Sequence, residues 1–188
     1  MFDAESDIAA LVYGPGQDPD AMLRALAADL NAHGYRAVGM IQLGGRCIGG
    51  PDMSAMLLHD GAELPLLQDL GRCAAGCRLD VGRLLDAGAR VADALDAGAD
   101  LLIINRFGKQ ECAGKGLVYL IERALDADIP VIIAVSRRRF DDWIAFSGGM
   151  SVKLPCDRDA VEAWWRKVSR HAPRPNLPAH ISVCEAMK

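Results

Sequence analysis

Short unbroken apolar runs alternate along the chain with longer stretches in which apolar residues recur every three or four positions. The first pattern predicts strands buried on both faces, and the second predicts amphipathic helices packed over them. Ile8–Tyr13, Ala37–Leu43, Asp100–Asn105 and Pro130–Val135 read as such strands. Met22, Leu23, Leu26 and Leu30 form a helical stripe after Asp18, a good N-cap, and Pro19 at the first helical position; Gly34 ends it. Asp80 caps a helix to about Ala97, with Val81, Leu84, Leu85, Val91, Ala92 and Leu95 as its apolar face. A further helix buries Leu117, Leu120, Ile121, Ala124 and Leu125. The last, opened by Asp157 or Asp159, carries Val161, Trp164, Trp165 and Val168; its tryptophan pair reads as packing on the sheet.

Other segments break this rhythm. Ser54–His59 and Glu63–Gln68 flank Asp60-Gly61, which predicts an antiparallel hairpin. An irregular loop containing Cys73, Cys77 and Arg78 follows it. Ser136 can cap a short helix over Phe140–Phe146, Ser147-Gly148-Gly149 breaks that helix, and Val152–Leu154 reads as an edge strand. Pro173, Pro175 and Pro178 predict an extended tail. The expected organisation is one α/β domain over residues 1–171, with a hairpin insertion at about 44–69 and a tail over 172–188. The sheet is expected to be mostly parallel and covered on both faces.

Composition supports a sizeable core, with 51% hydrophobic and 24% charged residues in 188. A net charge of −4 argues against non-specific binding to nucleic acid or anionic membranes. No apolar run reaches the roughly 18–20 residues of a membrane-spanning helix. The acidic start, MFDAESDIAAL, is unlike a signal peptide, so a cytoplasmic location is expected. The six cysteines are then expected to be thiols. Cys73-x-x-x-Cys77, Cys47 and Cys112 lack the paired spacing of a zinc site, and the four histidines show no ligand spacing.

Ligands of such folds sit beyond the carboxyl ends of the strands. The first strand-end loop, Gly14-Pro15-Gly16-Gln17-Asp18-Pro19-Asp20, lacks the lysine and hydroxyl of a phosphate-binding loop, and its acids oppose an anion. It reads as a tight turn with an Asp cap. The loop after the third strand is richer. Asn105, Arg106, Gly108 and Lys109 open it, and Gly114, Lys115 and Gly116 lead into a helix. Glycine amides, a helix N-terminus and three cationic side chains suit a tetrahedral oxyanion. The bland alternative is a surface loop whose cations pair with acids. Arg137, directly after the fourth strand, and Arg78, before the Asp80 helix, complete the candidate set.

Three segments carry a resemblance. They are Leu101-Leu102-Ile103-Ile104-Asn105-Arg106-Phe107-Gly108-Lys109-Gln110-Glu111, Gly76-Cys77-Arg78-Leu79-Asp80 and Phe146-Ser147-Gly148-Gly149. From Ile8 to about Asp157 the chain resembles a bacterial domain-of-unknown-function family, whose members carry nucleoside-triphosphatase-like or molybdenum-transport ATP-binding labels. The first segment is also similar to the Walker B region of the THEP-type nucleoside triphosphatases. Gly108, Lys109 and Glu111 match that pattern, while Asn105 and Arg106 replace its Asp-Glu pair, which would hold magnesium and activate water. The resemblance implies a P-loop-NTPase-like three-layer sandwich with degenerate Walker motifs.

The expected function is an accessory protein binding a small oxyanion or a phosphate-bearing ligand, with molybdate suggested by the resemblance. One alternative is a divergent nucleoside triphosphatase in which Glu111 orients water and a magnesium–nucleotide binds. Another is a protein-interaction module using the hairpin and tail. No cofactor is demanded by the sequence, and a homo-oligomer or partner protein stays open.

Overall fold

The structure is a computed structural model describing residues 6–44, 53–67 and 79–170. The four predicted strands form its centre as β1 (Ile8–Tyr13), β2 (Ala37–Leu43), β5 (Leu101–Ile104) and β6 (Val131–Ser136). Two strands of the predicted hairpin, β3 (Ser54–Leu57) and β4 (Glu63–Pro65), and the edge strand β7 (Val152–Pro155) complete a seven-stranded sheet. Its order is β4-β3-β2-β5-β6-β1-β7, antiparallel only at β3 and β4.

Helices cover both faces because the central strands are apolar on both sides. Side chains of α1 (Pro19–Ala32) and α6 (Arg158–Val168) pack with Leu11, Ile41, Leu101, Ile103 and Ile132 on one face. Those of α2 (Val81–Asp96), α4 (Val118–Asp126) and α5 (Phe140–Ser147) pack with Val12, Val38, Leu102, Ile104 and Ile133 on the other. A short helix α3 (Lys109–Cys112) lies within the predicted loop, and Arg137–Arg139 form one 3₁₀ turn. Asp18, Asp80 and Asp157 cap α1, α2 and α6 through their side chains. Trp164 and Trp165 are buried against the sheet beside Val152 and Leu154.

Two expected core residues face outward. Val81 and Leu85 are exposed. The buried stripe of α2 is Leu84, Gly88, Val91 and Leu95, and Leu85 lies about 100° around the helix from it. Val81 is the first helical residue and has no preceding turn beside it. The hairpin strands are also shorter than expected. Pro65 ends β4, since proline offers no ladder donor. Ser136 precedes the 3₁₀ turn without a side-chain capping bond. The predicted tail and the Cys73–Arg78 loop lie outside the described residues.

The hairpin is tied to α2 by Asp60, which accepts from Arg90 Nη2 at 2.6 Å. Beside it His59 is largely buried, with Nδ1 lacking a hydrogen-bond partner among the described residues. Burial pushes its pKa below the ordinary 6.5, outweighing the opposing pull of Asp60; Arg90 and Arg36 push the same way as burial. The unfolded chain therefore takes up this proton first. The stability contributed by neutral His59 is present above about pH 6.5 and is lost as pH falls from there towards the lower native pKa. Denaturant titrations at about pH 7.5 and about pH 5.5 should show a smaller loss for His59→Gln than for the parent. Equal losses would refute this.

Candidate functional site

The carboxyl ends of β1, β5 and β6 converge on the first turn of α1. After Tyr13, Gly14 N donates to Gln17 Oε1 at 2.7 Å, and Gln17 N donates to Gly14 O at 3.3 Å. The turn is thus closed on itself, and the Gly14 amide is spent. Counting on from Gly14 as in a G-x-x-x-x-G-K-[ST] motif, Pro19, Asp20 and Ala21 stand at the glycine, lysine and hydroxyl positions.

Asp20 has partners from the loop after β5. Asn105 Nδ2 donates to its Oδ1 at 2.7 Å, and Arg106 Nη2 donates to its Oδ2 at 2.8 Å. Both members of the ion pair are partly buried. Here a carboxylate from the first turn of α1 meets a guanidinium from the β5 end. Asn105 and Arg106, read as anion ligands, are held by an internal carboxylate.

The rest of that loop is organised by Glu111, which is 5% exposed. Its Oε2 accepts from Gly108 N at 2.9 Å, and its Oε1 accepts from Leu117 N, the N-cap residue of α4, at 3.2 Å. The carboxylate therefore serves as the internal anion for the Gly108 amide, expected to hold an external one, and for the Leu117 amide at the start of α4. Gly116 has φ +64°, and a Cβ there would approach Glu111 Oε1 to 2.4 Å, so the clamp requires glycine. Gly114, also at positive φ, forms an exposed bend. Lys109 and Lys115 project into solvent.

Phe107 anchors the loop's other side. Its N donates to Ala134 O at 2.9 Å, and its ring packs on Trp143 and Phe146 at 5.1 and 5.3 Å between centroids. Cys112 Sγ accepts from Arg139 Nη1 at 3.3 Å, near Asp142. Cys47, Cys73, Cys77 and Arg78 lie outside the described residues. Among the described residues, no group of three or more His, Cys, Asp or Glu is placed to hold a metal ion.

Arg137 occupies different ground. It lines an open cleft of about 490 Å³ with Val12, Gln17, Phe140, Lys153, Pro155 and Cys156. Its guanidinium lies over Gly14, where a Cβ would meet Cζ at 3.3 Å. Lys153 Nζ lies 4.5 Å from the centroid of the Phe140 ring. Among the described residues neither cation forms an ion pair. Burial pushes the Cys156 thiol pKa up, and the nearby Asp18 and Asp157 push it further, which keeps the thiol protonated. A second cleft of about 360 Å³ is lined by Asp18, Asp20, Arg24, Gln42 and Gly44 among others.

Sequence reasoning thus named Arg137 but missed Lys153, Gln17 and the role of Asp20. The alternation Val152-Lys153-Leu154-Pro155 carried a signal, since every second residue of an edge strand faces outward. The pairing of Asp20 with Arg106, 86 residues apart, left no local trace.

A mostly parallel sheet between two helical layers makes this a three-layer α/β domain, and solved structures of nucleoside triphosphatases share its P-loop-NTPase-like fold. The crystal structure of THEP1 from Aquifex aeolicus matches over 86% of this chain and 96% of its own, with TM-score 0.59 and 13% identity. The solution structure of a human cancer-related nucleoside triphosphatase matches over 85% and 94%, with TM-score 0.58 and 13% identity. The chain belongs to the family described as Protein of unknown function (DUF2478), whose model matches residues 8–164. It is 41% identical over 171 residues to the Molybdenum import ATP-binding protein ModC 2 of Bradyrhizobium diazoefficiens. That match covers 89% of this chain and 19% of the relative, so the chain spans about a fifth of that protein's length. Among the described residues, no helix is long and apolar enough to cross a membrane.

Proposed function

We propose that this domain is an accessory module that binds a small oxyanion or a phosphate-bearing ligand, with molybdate the candidate that the ModC relative's name brings forward. The observation that carries this reading is the cleft beside the first loop, where Arg137 and Lys153 keep their charges free of described carboxylates. The site moves from Arg106 and Lys109 to Arg137 and Lys153, while Lys109 and Lys115 remain exposed cations on the neighbouring loop.

Magnesium-dependent hydrolysis is the weaker reading. It needs a cation from the α1 turn and acids from the β5 end, where this chain has Asp20 and the pair Asn105 and Arg106. Glu111, the remaining acid of the loop, is engaged by two backbone amides. The ATP-binding name of the relative does not require this segment either, because four-fifths of that protein lies outside the match.

Thermal-shift and calorimetric titrations with molybdate, tungstate, sulfate, phosphate and nucleotides test the proposal. A ligand at about 100 times its Kd stabilises by about 2.7 kcal/mol. For a chain of this size that raises Tm by about 5–11 °C. Arg137→Ala with Lys153→Ala should weaken binding at least about tenfold, as two charge-assisted bonds are lost. No stabilisation by any of these ligands would sink the proposal. Magnesium-dependent phosphate release by the purified chain would put the hydrolase reading ahead.

A further inference from the structure

We infer that the cleft between β7 and α5 takes an organic phosphate, a phosphomonoester with an apolar or planar body, in preference to a bare tetrahedral oxyanion. This inference rests on the anion-binding reading above and adds the ligand's class.

The first argument is size. The cleft is open to solvent and measures about 490 Å³. A central atom with its oxygens fills only a corner of that space. Clefts of about 300–1,000 Å³ are the usual hosts of organic ligands and cofactors.

The second argument is the division of chemistry along the cleft. Its charged lining side chains are both cations, with the carboxylates of Asp18 and Asp157 near Cys156. Arg137 brings a guanidinium and Lys153 an ammonium. Gln17 has its Oε1 committed to the Gly14 amide, which leaves its NH₂ as the group to offer. The raised pKa of Cys156 leaves a neutral thiol there. Such a set selects an anion. The remaining surface is apolar. Val12 and Pro155 are register partners on adjacent strands and lie side by side. Phe140 forms the wall towards α5. A bare oxyanion would leave this surface wet, whereas an organic body covers it and gains from the burial.

The third argument is why the surface is open. The Val152 and Leu154 face of β7 is buried with α6 residues, while Lys153 and Pro155 on the opposite face are exposed. The cleft is therefore built into the sheet edge.

Calorimetry on the full chain with inorganic phosphate, molybdate, phenyl phosphate, adenosine 5′-monophosphate and phenol tests the inference. At least one organic phosphate should bind at least about tenfold tighter than inorganic phosphate, and phenol should bind far more weakly. Arg137→Ala should weaken that organic phosphate at least tenfold. Pro155→Asp should abolish its advantage over inorganic phosphate, and an unchanged melting profile would show that the fold survives. Lys153→Ala is the second variant if Pro155→Asp fails to fold, with a tenfold loss expected. If molybdate or phosphate binds as tightly as either organic phosphate, the inference fails and the anion-binding reading stands. If no anion binds, both fail. Organic-phosphate binding indifferent to Arg137→Ala and Lys153→Ala would place the ligand elsewhere and overturn the inference.

Discussion

Gly39→Ala is expected to lower stability by about 4 kcal/mol, combining about 1–3 kcal/mol of backbone strain with the displacement of a neighbouring strand. Gly39 lies mid-strand in β2 with φ +132°. A Cβ built there stands 1.9 Å from the Ile103 carbonyl oxygen and 2.8 Å from its carbon. Those atoms are backbone of β5, which pairs with β2 in the buried centre of the sheet. No rotamer relieves the contact, so one strand must move. At about 2–4 °C per kcal/mol for a chain of this length, Tm should fall by about 8–16 °C. Gly61→Ala is the control. Gly61 also has positive φ, +72°, but a Cβ there meets nothing within 4 Å, and about 1 kcal/mol is expected. A Gly39→Ala protein as stable as the Gly61→Ala protein would refute the close-approach argument. The position also matters to the site, because β5 delivers Asn105 and Arg106 to Asp20.

Glu111→Ala should cost about 3 kcal/mol, because it strands two amides that the carboxylate now satisfies, each worth about 1–3 kcal/mol when left unpaired and buried. The Tm should drop by about 6–12 °C. Glu111→Gln keeps one acceptor oxygen and should cost less. Gly116→Ala, which drives a methyl into Glu111 Oε1, should resemble Glu111→Ala. These variants separate a structural acid from a catalytic one. A water-orienting Glu111 predicts that Glu111→Gln abolishes phosphate release with little change in Tm, whereas a clamp predicts loss of stability with no activity to lose. Differential scanning calorimetry alongside a phosphate-release assay distinguishes them. A stable, inactive Glu111→Gln from an active parent would defeat the clamp reading.

Much of the architecture was legible because the relevant forces are local or periodic. The unbroken runs of β1, β2, β5 and β6 can be accommodated only where both sheet faces are covered. Asp18, Asp80 and Asp157 cap helices through bonds spanning three residues, so their neighbours in sequence revealed them. The hairpin signal at Asp60-Gly61 had the same character. Where the reading of elements failed, it failed over degree. Leu85 lies one step off a stripe it was counted within, and Pro65 cut a strand short.

The candidate site was legible only as a neighbourhood. The loops after β5 and β6 are neighbours, with Arg139 donating to Cys112, yet Arg137, which the sequence placed in the same crevice, lines a separate cleft. What each charge does there was not legible. Arg106 and Lys109 are near neighbours in sequence, yet one is bound to Asp20 and the other is exposed. Glu111, six residues before Leu117, looked as free as any loop acid until the fold of the loop turned its oxygens inward. Lys153 was an unremarked residue in a short strand until the sheet order placed β7 at an edge.

The sequence by itself determined that the loop Asn105–Gly116 would exist, where it would begin, and that it would be rich in cations and glycine. Apolar periodicity and turn chemistry act within a few residues and can be read there. Only the tertiary structure decided which charges are spent and which remain. An ion pair's free energy depends on distance and burial, and the distance from Asp20 to Arg106 is set by the whole sheet. Folding pairs Arg106 with Asp20 and turns Glu111 onto backbone amides, while Lys109 and Lys115 stay exposed and Arg137 and Lys153 face an open cleft.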